Sequence, residues 1–520
     1  MTSVPAVPLQ DAAGARAADV AAVERGATWA DLMNRAAAGL ARGVVRYAGG
    51  AYGLRVAIMV GHGNNGGDGW AAALHLREMG AMPWVVAVTG TSAELSPEAT
   101  EFRRQWLESG GRTGEGLAAA NDALAQADVV VDALLGTGAT GEPRGEIAEA
   151  CKLLAAAEVA TIACDIPTGV DADTGAAAAL AVHADATVTF GALKRGLLLT
   201  PGRDHAGHVT VSGLGPHWRA DSSWNALTAS GAAPRRFPLG ADKRARGVVL
   251  VVGGAVGTAG AAAMAAGGAV RAGAGLVTVA TPETVREEVA AHDPAIMTKG
   301  LLAADGGLAA DAQDELDMMV DRADVVVAGP GLGTSDGVRH VVAALRARAP
   351  RLVLDADALN VHRDDPAALA DHPGDLVLTP HDRELARIHP DRADAVARRS
   401  ASVPELARRL NATVLAKGPS TMIAAPDGRV WLTPTGGPGL GSGGTGDVLA
   451  GVVAAAIAMA DDVPLAVAQA AWWHGLAGDL AAHSAAGRGT AAAVLDRLPE
   501  ALHVAATHAA TDPTFPFELR

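Results

Sequence analysis

One glycine-rich segment near the C-terminus, GSGGTGDVLAG at residues 441–451, has the residue types of an anion-binding active site. Glycines let backbone N–H groups face a bound anion without a Cβ in the way, and a helix N-terminus adds its dipole. The apolar run from Val448 onward predicts such a buried helix directly after the glycines. Because a carboxylate beside an anion is electrostatically costly, we interpret Asp447 as a base that takes a proton from a substrate hydroxyl. The structural alternative is a tight turn in which Asp447 caps the helix.

Four other polar residues in the second half of the chain follow strand-like apolar runs. They are Asp355 and Asp357 in LVLDADALN, His381 in LTPHDRELARI and Lys417 in VLAKGPST. Each has an ordinary structural alternative: a turn with aspartate caps, a loop histidine or a lysine at the protein surface. Lysine is much rarer than arginine in this chain, and it differs from arginine in offering a compact point charge. The common order of these residues favours one site at the edge of a sheet.

The first half of the chain contains three comparable segments: GHGNNGGDGWAAA at 61–73, VDALLGTGATGEPRG at 131–145 and CDIPTGVD at 164–171. They place Asn65, Asp132, Asp165 and Thr168 at or just after strand-like runs. The carboxyl ends of parallel strands share one edge of a sheet, so we expect these side chains to converge on one crevice. Their oxygens suit a cation or a ribose. Alternatively, Asp165 caps a turn and Asp132 is a structural hydrogen-bonded aspartate.

The elements that must position these residues alternate between short apolar strands and helical stretches in both halves. This alternation predicts an α/β fold with parallel sheets covered on both faces. Helices are expected over residues 18–46 and 70–79, the second of them after the loop GHGNNGGDG. The composition changes over residues 216–240, which we interpret as a connector between two domains.

Bulk composition narrows the class of protein. A chain of 520 residues exceeds a single core, and its net charge of −15 argues against a nucleic-acid or anionic-membrane surface. Cys151 and Cys164 form no disulfide or metal pattern, which suits a reducing compartment, so a cytoplasmic location is expected. The first residues show no secretory signal, and no apolar run is long enough to span a bilayer.

Over about residues 240–505, the order of these motifs resembles the ADP/ATP-dependent NAD(P)H-hydrate dehydratase family, which has a ribokinase-like αβα fold. The resemblance implies ADP as cosubstrate with Mg²⁺, and Asp447 as the base on the C6 hydroxyl of the hydrated nicotinamide ring. It implies nucleotide contacts at Lys417, Gly418, Pro419, Ser420, Thr421 and Gly446. It implies substrate contacts at Ala262, Gly331, His381 and Asp447.

Over about residues 18–215, NNGGDG, VDALLGTG and DIPTG resemble the NAD(P)H-hydrate epimerase family, with a Rossmann-like three-layer αβα fold. The resemblance implies Asp165 as the acid/base and a potassium ion held by Asn65, Asp132 and Thr168. It implies contacts with the hydrated cofactor at Asn64, Asn65, Gly66, Gly67, Asp68, Gly136, Thr137, Gly138, Ala139, Thr140, Gly141, Glu142 and Asp165.

Together these resemblances predict a bifunctional repair enzyme. Its predicted parts are an epimerase domain at 1–215, a connector at 216–240, an ADP-dependent dehydratase domain at 241–505 and a tail at 506–520. We expect its partners to be the hydrates NADHX and NADPHX and ADP, with neither nucleic acid nor membrane, and a homo-oligomeric assembly. One alternative is a ribokinase-like kinase of a small vitamin-precursor alcohol with a fused ligand-binding domain. A second is a non-catalytic nucleotide sensor.

Overall fold

The computed structural model of the chain describes residues 6–90, 95–485 and 487–511, which form two compact units. The N-terminal unit is built from Val7–Trp224, and the C-terminal unit is built mainly from the chain that follows, beginning at Asn225. Each unit contains a largely parallel sheet with helices packed against it, so the predicted α/β class with two domains is confirmed. The predicted ends of the domains and of the tail stay predictions.

The N-terminal unit has a seven-stranded, wholly parallel sheet in the order β4-β3-β2-β5-β6-β7-β9. The unit contains the strands β1 (Ala6–Gln10), β2 (Arg55–Val60), β3 (Met82–Ala87), β4 (Arg112–Glu115), β5 (Val129–Ala133), β6 (Ala160–Cys164), β7 (Ala186–Phe190), β8 (Leu193–Lys194) and β9 (His208–Ser212). Of these, β1 and β8 pair with each other and lie outside the seven-stranded sheet. Its helices are α1 (Ala12–Glu24), α2 (Trp29–Ala48), α3 (Asn64–Glu78), α4 (Pro97–Glu108), α5 (Gly116–Leu124), α6 (Gly145–Ala156) and α7 (Gly202–Ala206). The strand order changes direction between β2 and β5, where open α/β sheets bind ligands.

The helix expected over residues 18–46 is in fact two helices, α1 and α2, so that prediction is wrong. The chain turns at Gly26, whose φ of 102° is in the left-handed region that glycine adopts readily. Thr28 then begins α2 with a capping box, because its side chain accepts from the Asp31 N–H and the Asp31 carboxylate accepts from the Thr28 N–H. These local signals outweigh the continuous helical spacing of the apolar residues.

The expected loop before α3 is largely helical, so the predicted helix start at residue 70 is also wrong. Helix α3 begins at Asn64, and the segment NNGGDG forms its first turns. Glycine is required here for close packing: a Cβ at Gly66 would lie 2.1 Å from the carbonyl oxygen of Gly61. The glycines therefore bring the helix N-terminus against the end of β2.

The C-terminal unit has a second sheet in the order β13-β12-β11-β16-β17-β18-β19-β20-β21-β10, parallel from β13 to β19. The strands are β10 (Trp224–Leu227), β11 (Val248–Val252), β12 (Leu276–Pro282), β13 (Met297–Leu301), β14 (Ala303–Ala304), β15 (Gly307–Leu308), β16 (Val325–Ala328), β17 (Arg351–Leu354), β18 (Asp375–Leu378), β19 (Thr413–Ala416), β20 (Met422–Ala424) and β21 (Val430–Leu432). The helices are α8 (Ala259–Arg271), α9 (Arg286–Ala290), α10 (Gln313–Val320), α11 (Asp336–Arg348), α12 (Ala356–Asn360), α13 (Asp382–Ile388), α14 (Arg399–Leu410), α15 (Thr445–Ile457), α16 (Val463–Ser484) and α17 (Ala491–Thr511). Strands β20 and β21 pair antiparallel as a hairpin.

Small residues fix the position of α15, the helix that carries Asp447. A Cβ at Gly268 of α8 would lie 2.4 Å from the Val448 carbonyl oxygen, and one at Gly451 would lie 1.7 Å from the Ala265 carbonyl oxygen. The backbones of α8 and α15 therefore approach each other more closely than larger side chains permit. No helix in the described ranges combines the length and apolarity needed to span a bilayer.

Candidate active sites

The first candidate site lies at the N-terminus of α15, where the glycine-rich segment turns into helix. Gly444 is the N-cap with a φ of 90°, and Asp447 lies in the first turn. The loop is closed by Thr445, whose hydroxyl oxygen lies 2.8 Å from the Leu440 carbonyl oxygen and 2.9 Å from that of Ser442. The Asp447 carboxylate accepts no hydrogen bond from any described residue. It is therefore available to a ligand.

A lysine at the end of β19 links this helix to the neighbouring strands. The Lys417 ammonium donates to Oδ1 of Asp355 at 2.6 Å, and the Thr379 hydroxyl donates to the same oxygen at 2.8 Å. Asp355 follows β17 and is 1% exposed. A Cβ at Gly446 would lie 3.3 Å from Nζ of Lys417, so the ammonium lies directly beside the backbone of the α15 first turn. Anion-binding N–H groups and a cation thus face the same space.

The carboxyl groups around this lysine have perturbed proton affinities. Burial raises the pKa of Asp447 to about 7, and the negative charges of Asp355, Asp357 and Glu384 add to this effect. Burial likewise raises the pKa of Glu384. Burial alone would lower the pKa of Lys417, but the nearby carboxylates, above all that of Asp355, outweigh it and raise the pKa. A carboxyl group with a pKa near 7 is suited to exchanging a proton with substrate at physiological pH.

His381 is the N-cap of α13 and is half-exposed. Its Nδ1 accepts from the Arg383 and Glu384 backbone N–H groups at 3.1 and 3.3 Å, and the His381 backbone N–H donates to Oε2 of Glu384 at 2.9 Å. Nε2 lies 3.3 Å from Oε1 of Glu384, which is 4% exposed. The cap fixes the imidazole, and its exposure leaves the ring accessible to a ligand.

The other residues predicted for this site lie in different surroundings from one another. Gly331 has a φ of 61°, and its carbonyl oxygen accepts from the Thr258 hydroxyl at 2.8 Å. The Arg399 guanidinium donates to the Lys417 carbonyl oxygen at 2.9 Å and thereby braces the segment from Lys417 to Thr421. Ala262 is fully buried in α8, so its side chain is not brought to the open part of the site.

The second candidate site lies at the ends of β2, β5 and β6 in the N-terminal unit. Asp132 is fully buried and accepts from the Thr168 backbone N–H at 2.8 Å and the Thr168 hydroxyl at 2.7 Å. The Asn65 amide donates to the Leu135 carbonyl oxygen at 2.9 Å, and the Leu135 N–H donates to the Thr168 hydroxyl at 3.0 Å. The structure therefore brings Asn65, Asp132 and Thr168 together around one backbone segment.

Asp165 follows β6 and has a φ of 67°, which is uncommon for a residue other than glycine. Its Oδ1 accepts from Lys194 Nζ at 2.5 Å, the Thr189 hydroxyl at 2.9 Å and the Phe190 N–H at 3.1 Å. Lys194 is 3% exposed and Asp165 is 14% exposed. Asp165 is thus a mostly buried carboxylate that is ion-paired with Lys194.

Asp68, in the first turns of α3, is electrostatically linked to this ion pair. Burial, and then the charge of Asp165, raise the pKa of Asp68 well above its usual range, whereas Lys194 opposes the shift. Gly136 packs against Asn65, with a hypothetical Cβ 3.1 Å from the Asn65 Cβ. The segment from Gly136 to Glu142 is mostly exposed, and Glu142 accepts from the Ala179 N–H at 2.9 Å. Asn64 is exposed at the start of α3.

Three contacts at these sites were not predicted from the sequence. The buried imidazole of His474 lies 2.9 Å from the Thr445 carbonyl oxygen through Nε2, and burial lowers its pKa to about 4. The others are the bond from Thr189 to Asp165 and the bond from Thr258 to Gly331. Each depends on a distant element, so no local motif indicates it. The ion pair of Lys194 with Asp165 was not predicted either, because the two residues are far apart in the chain.

The fold and sites define a two-domain α/β protein with a glycine-rich segment at a helix N-terminus and a mostly buried carboxylate near it in each domain. The NAD(P)H-hydrate dehydratase family matches residues 249–500, and the family of the YjeF-related protein N-terminus matches residues 29–196. The chain belongs to the family of bifunctional NAD(P)H-hydrate repair enzymes.

Its relatives support this over nearly their whole length. The bifunctional NAD(P)H-hydrate repair enzyme Nnr of Moorella thermoacetica is 37% identical, covering 86% of this chain and 87% of that protein. The enzyme of the same name from Hyperthermus butylicus is 34% identical, covering 93% and 91%. Among solved structures, the ADP/ATP-dependent NAD(P)H-hydrate dehydratase of Bacillus subtilis is 27% identical, with a TM-score of 0.45, covering 53% of this chain and 96% of that one.

These matches confirm the prediction of a bifunctional repair enzyme that combines an isomerase and a lyase activity. Neither alternative, the vitamin-precursor kinase or the non-catalytic sensor, is favoured by them. The assignment of individual residues to substrate, nucleotide and metal stays a prediction.

Proposed function

We propose that the C-terminal unit dehydrates the S hydrate of NADH or NADPH with ADP as cosubstrate, and that Asp447 is its base. The observation that carries this proposal is the geometry at the start of α15. Asp447, with a pKa near 7 and no hydrogen-bond partner among the described residues, lies beside backbone N–H groups and the Lys417 ammonium. A base and a phosphate-binding surface therefore face one space.

The chemistry follows from this arrangement. Asp447 removes the proton from the C6 hydroxyl, and that oxygen takes a phosphoryl group from ADP in line, leaving AMP. The C6–O bond then breaks with its electron pair going to phosphate, and loss of a ring proton from C5 restores the C5–C6 double bond. The nucleotide is held by Lys417, by the residues from Gly418 to Thr421 and by Gly446. The substrate contacts Gly331, His381 and the backbone near Ala262.

We propose that Mg²⁺ enters this site with the nucleotide. Among the described residues there is no cluster of three or more His, Cys, Asp or Glu side chains placed to hold a metal. Magnesium commonly binds through one or two carboxylates together with substrate phosphates. Asp355 and Asp357 are candidates, because their charges act on Asp447. The donor set therefore suits a metal–nucleotide complex rather than a resident ion.

In the N-terminal unit, we propose that Asp165 is the acid/base that interconverts the R and S hydrates at C6. Asn64, Asn65, Gly66, Gly67, Asp68 and the exposed segment from Gly136 to Glu142 would contact the hydrated cofactor. The N-terminus of α3 offers free N–H groups to the anionic part of this ligand.

A potassium ion fits the oxygen atoms around Asp132. That carboxylate is fully buried, burial raises its pKa, and it has no ion-pair partner within the part of the chain that the structure describes. A buried carboxylate without a counter-ion is unfavourable, so a cation would stabilise it. The Asn65 amide donates through nitrogen and leaves its Oδ1 available, and Thr168 adds a hydroxyl oxygen. Hard oxygen ligands of this kind suit K⁺ rather than a thiophilic metal.

We also propose a cytoplasmic, homo-oligomeric protein. The two cysteines are free and buried, which is consistent with a reducing compartment. The absence of a long apolar helix among the described residues does not oppose this location.

The proposed function is tested by incubating the protein with a mixture of both hydrates, ADP and Mg²⁺ and following the recovered absorbance of reduced nicotinamide. We expect both epimers in the mixture to be converted back to reduced nicotinamide, each faster than in the sample without protein. Parallel samples lack either ADP or the protein. No recovery with ADP or ATP would overturn the dehydratase proposal. Recovery of the S portion alone, with R-to-S exchange no faster than without protein, would overturn the epimerase proposal.

A further inference from the structure

The carboxylate of Asp165 has two oxygen atoms with very different surroundings. Oδ1 accepts three hydrogen bonds, from Lys194, Thr189 and the Phe190 backbone. Oδ2 accepts none from any described residue. The side chain is 14% exposed, so a small part of the carboxylate remains open to a ligand. One oxygen is therefore fixed by the protein, and the other is free to react.

Lys194 has no evident role other than this contact. It is 3% exposed, it lies in the short strand β8, and its second hydrogen bond, to the Phe190 carbonyl oxygen at 2.9 Å, holds the ammonium in place. A buried ammonium is costly unless it is paired, and Asp165 supplies the pair. The backbone of Asp165 is held as well, since its N–H donates to the Val188 carbonyl oxygen at 2.8 Å.

The other ionisable groups close to this pair are mostly acidic. Asp68 on α3 and Asp19 on α1 interact electrostatically with both Asp165 and Lys194, and the buried thiol of Cys164 precedes Asp165 in β6. Burial raises the pKa of Asp68 and of Asp19, and the charge of Lys194 opposes both shifts, with Arg16 adding to this opposition at Asp19. Lys194 is therefore the cation that acts on the whole carboxyl cluster.

We propose that Lys194 is a positioning residue for epimerisation, holding Oδ1 of Asp165 so that Oδ2 exchanges the proton with the substrate. This inference rests on the proposed acid/base role of Asp165. Oδ2 takes the proton of the C6 hydroxyl as the C6–N1 bond breaks, and the electron pair of that bond passes to N1 and the conjugated carboxamide, which leaves C6 as a flat aldehyde carbon. N1 then attacks the other face of that carbon, the C6–N1 bond forms again, and Oδ2 returns the proton to the oxygen, so no atom or electron is gained or lost. Lys194 holds Oδ1 by its hydrogen bond while Oδ2 exchanges the proton.

The test uses the full chain without ADP, so that the dehydratase does not consume the S hydrate. Conversion of purified R hydrate into S hydrate is followed by chromatography across a pH series. We expect Lys194→Met to lower the epimerase kcat/KM roughly 10- to 100-fold, as expected when a reacting group is misplaced. We also expect the acidic limb of its pH profile to move to higher pH, because Lys194 lowers the pKa of Asp68 and Asp19 and the carboxyl cluster then lacks that cation.

Lys152→Met is the matched control. Lys152 belongs to the same unit and its removal causes the same change in charge, but it is exposed and paired with Glu149 on α6. Its epimerase rate and pH profile should match those of the wild type. Lys194→Arg should keep the position of the acidic limb, since it keeps the charge, while losing rate. The ADP-dependent activity on the S hydrate should persist in all three variants.

A wild-type rate and an unmoved acidic limb in Lys194→Met would overturn the inference and leave the proposed epimerase intact. No exchange above background in either the wild type or Lys152→Met would instead overturn the epimerase proposal itself. If circular dichroism shows that Lys194→Met does not fold, Thr189→Val tests the inference instead, because it removes one hydrogen-bond donor to Oδ1 at nearly constant side-chain volume. We expect a severalfold lower kcat/KM for Thr189→Val, and an unchanged rate would contradict the inference.

Discussion

At the scale of single residues, the two proposed catalytic carboxylates are prepared in opposite ways. Asp165 is paired with a buried lysine and receives three hydrogen bonds on one oxygen. Asp447 has no hydrogen-bond partner among the described residues, and burial beside other carboxyl groups raises its pKa to about 7. The first arrangement fixes one carboxylate oxygen and leaves the other open to substrate, and the second gives a carboxyl group that gains and loses its proton near neutral pH.

The raised pKa of Asp447 implies a stability cost that increases with pH. Between about pH 4 and pH 7 the unfolded state has lost this proton while the folded state retains it, so folding stability falls over that range. Asp447→Asn removes the effect. Its stability relative to wild type should increase over that range by roughly 1–4 kcal/mol and then level off.

Hydrogen exchange in α8 and α15, corrected for intrinsic rates, measures this difference in stability for the C-terminal unit. The exposed Asp311→Asn is the control, and a constant difference across pH would contradict the prediction.

The proposed potassium site gives a second prediction at this scale. Replacing K⁺ with tetramethylammonium, which is too large and too weakly coordinating for the site, should lower R-to-S exchange and leave ADP-dependent dehydration unchanged. Thr168→Val, which removes one ligand oxygen and a hydrogen bond to Asp132, should mimic the loss of K⁺. Equal epimerase rates in the two buffers would remove the support for a potassium ion.

At the scale of helices and strands, buried parallel strands were predictable because runs of valine, isoleucine and alanine mark them. The starts of α3 and α15 were not predictable, because the glycines there allow close tertiary packing instead of marking a loop. Gly66 packs against the backbone of Gly61, and Gly446 lies beside Lys417, so the glycine segments enter the helices instead of preceding them. The contact between Lys194 and Asp165 was also beyond sequence reasoning, since the two residues are 29 positions apart in the chain.

The close packing at the start of α3 can be tested with a pair of glycine substitutions. Gly66→Ala would place a Cβ 2.1 Å from the Gly61 carbonyl oxygen, whereas Gly63→Ala meets nothing within 4 Å and has an ordinary φ of −85°. We expect Gly66→Ala to shift the helix start, to destabilise the N-terminal unit by about 1–3 kcal/mol as overpacking does, and to abolish epimerisation. Gly63→Ala should fold normally. Equal stability of the two variants by thermal unfolding would contradict the packing argument.

At the scale of the whole molecule, the two units give one chain two chemically complementary tasks. The dehydratase acts on the S hydrate, and the epimerase converts the R hydrate into it, so both forms of the damaged cofactor can be repaired. Each unit has its own core, its own sheet and its own carboxylate. We therefore expect a substitution at one carboxylate to leave the activity of the other unit intact.

The most direct test of this account compares recovery time courses for wild type, Asp165→Asn and Asp447→Asn with a mixture of both hydrates, ADP and Mg²⁺. The wild type should recover the whole mixture rapidly. Asp165→Asn should recover the S portion rapidly and the R portion only at the rate of spontaneous exchange. Asp447→Asn should recover nothing but still catalyse R-to-S exchange. Rapid recovery of both portions by Asp165→Asn, or any ADP-dependent recovery by Asp447→Asn at the wild-type rate, would contradict the division of labour proposed for these two residues.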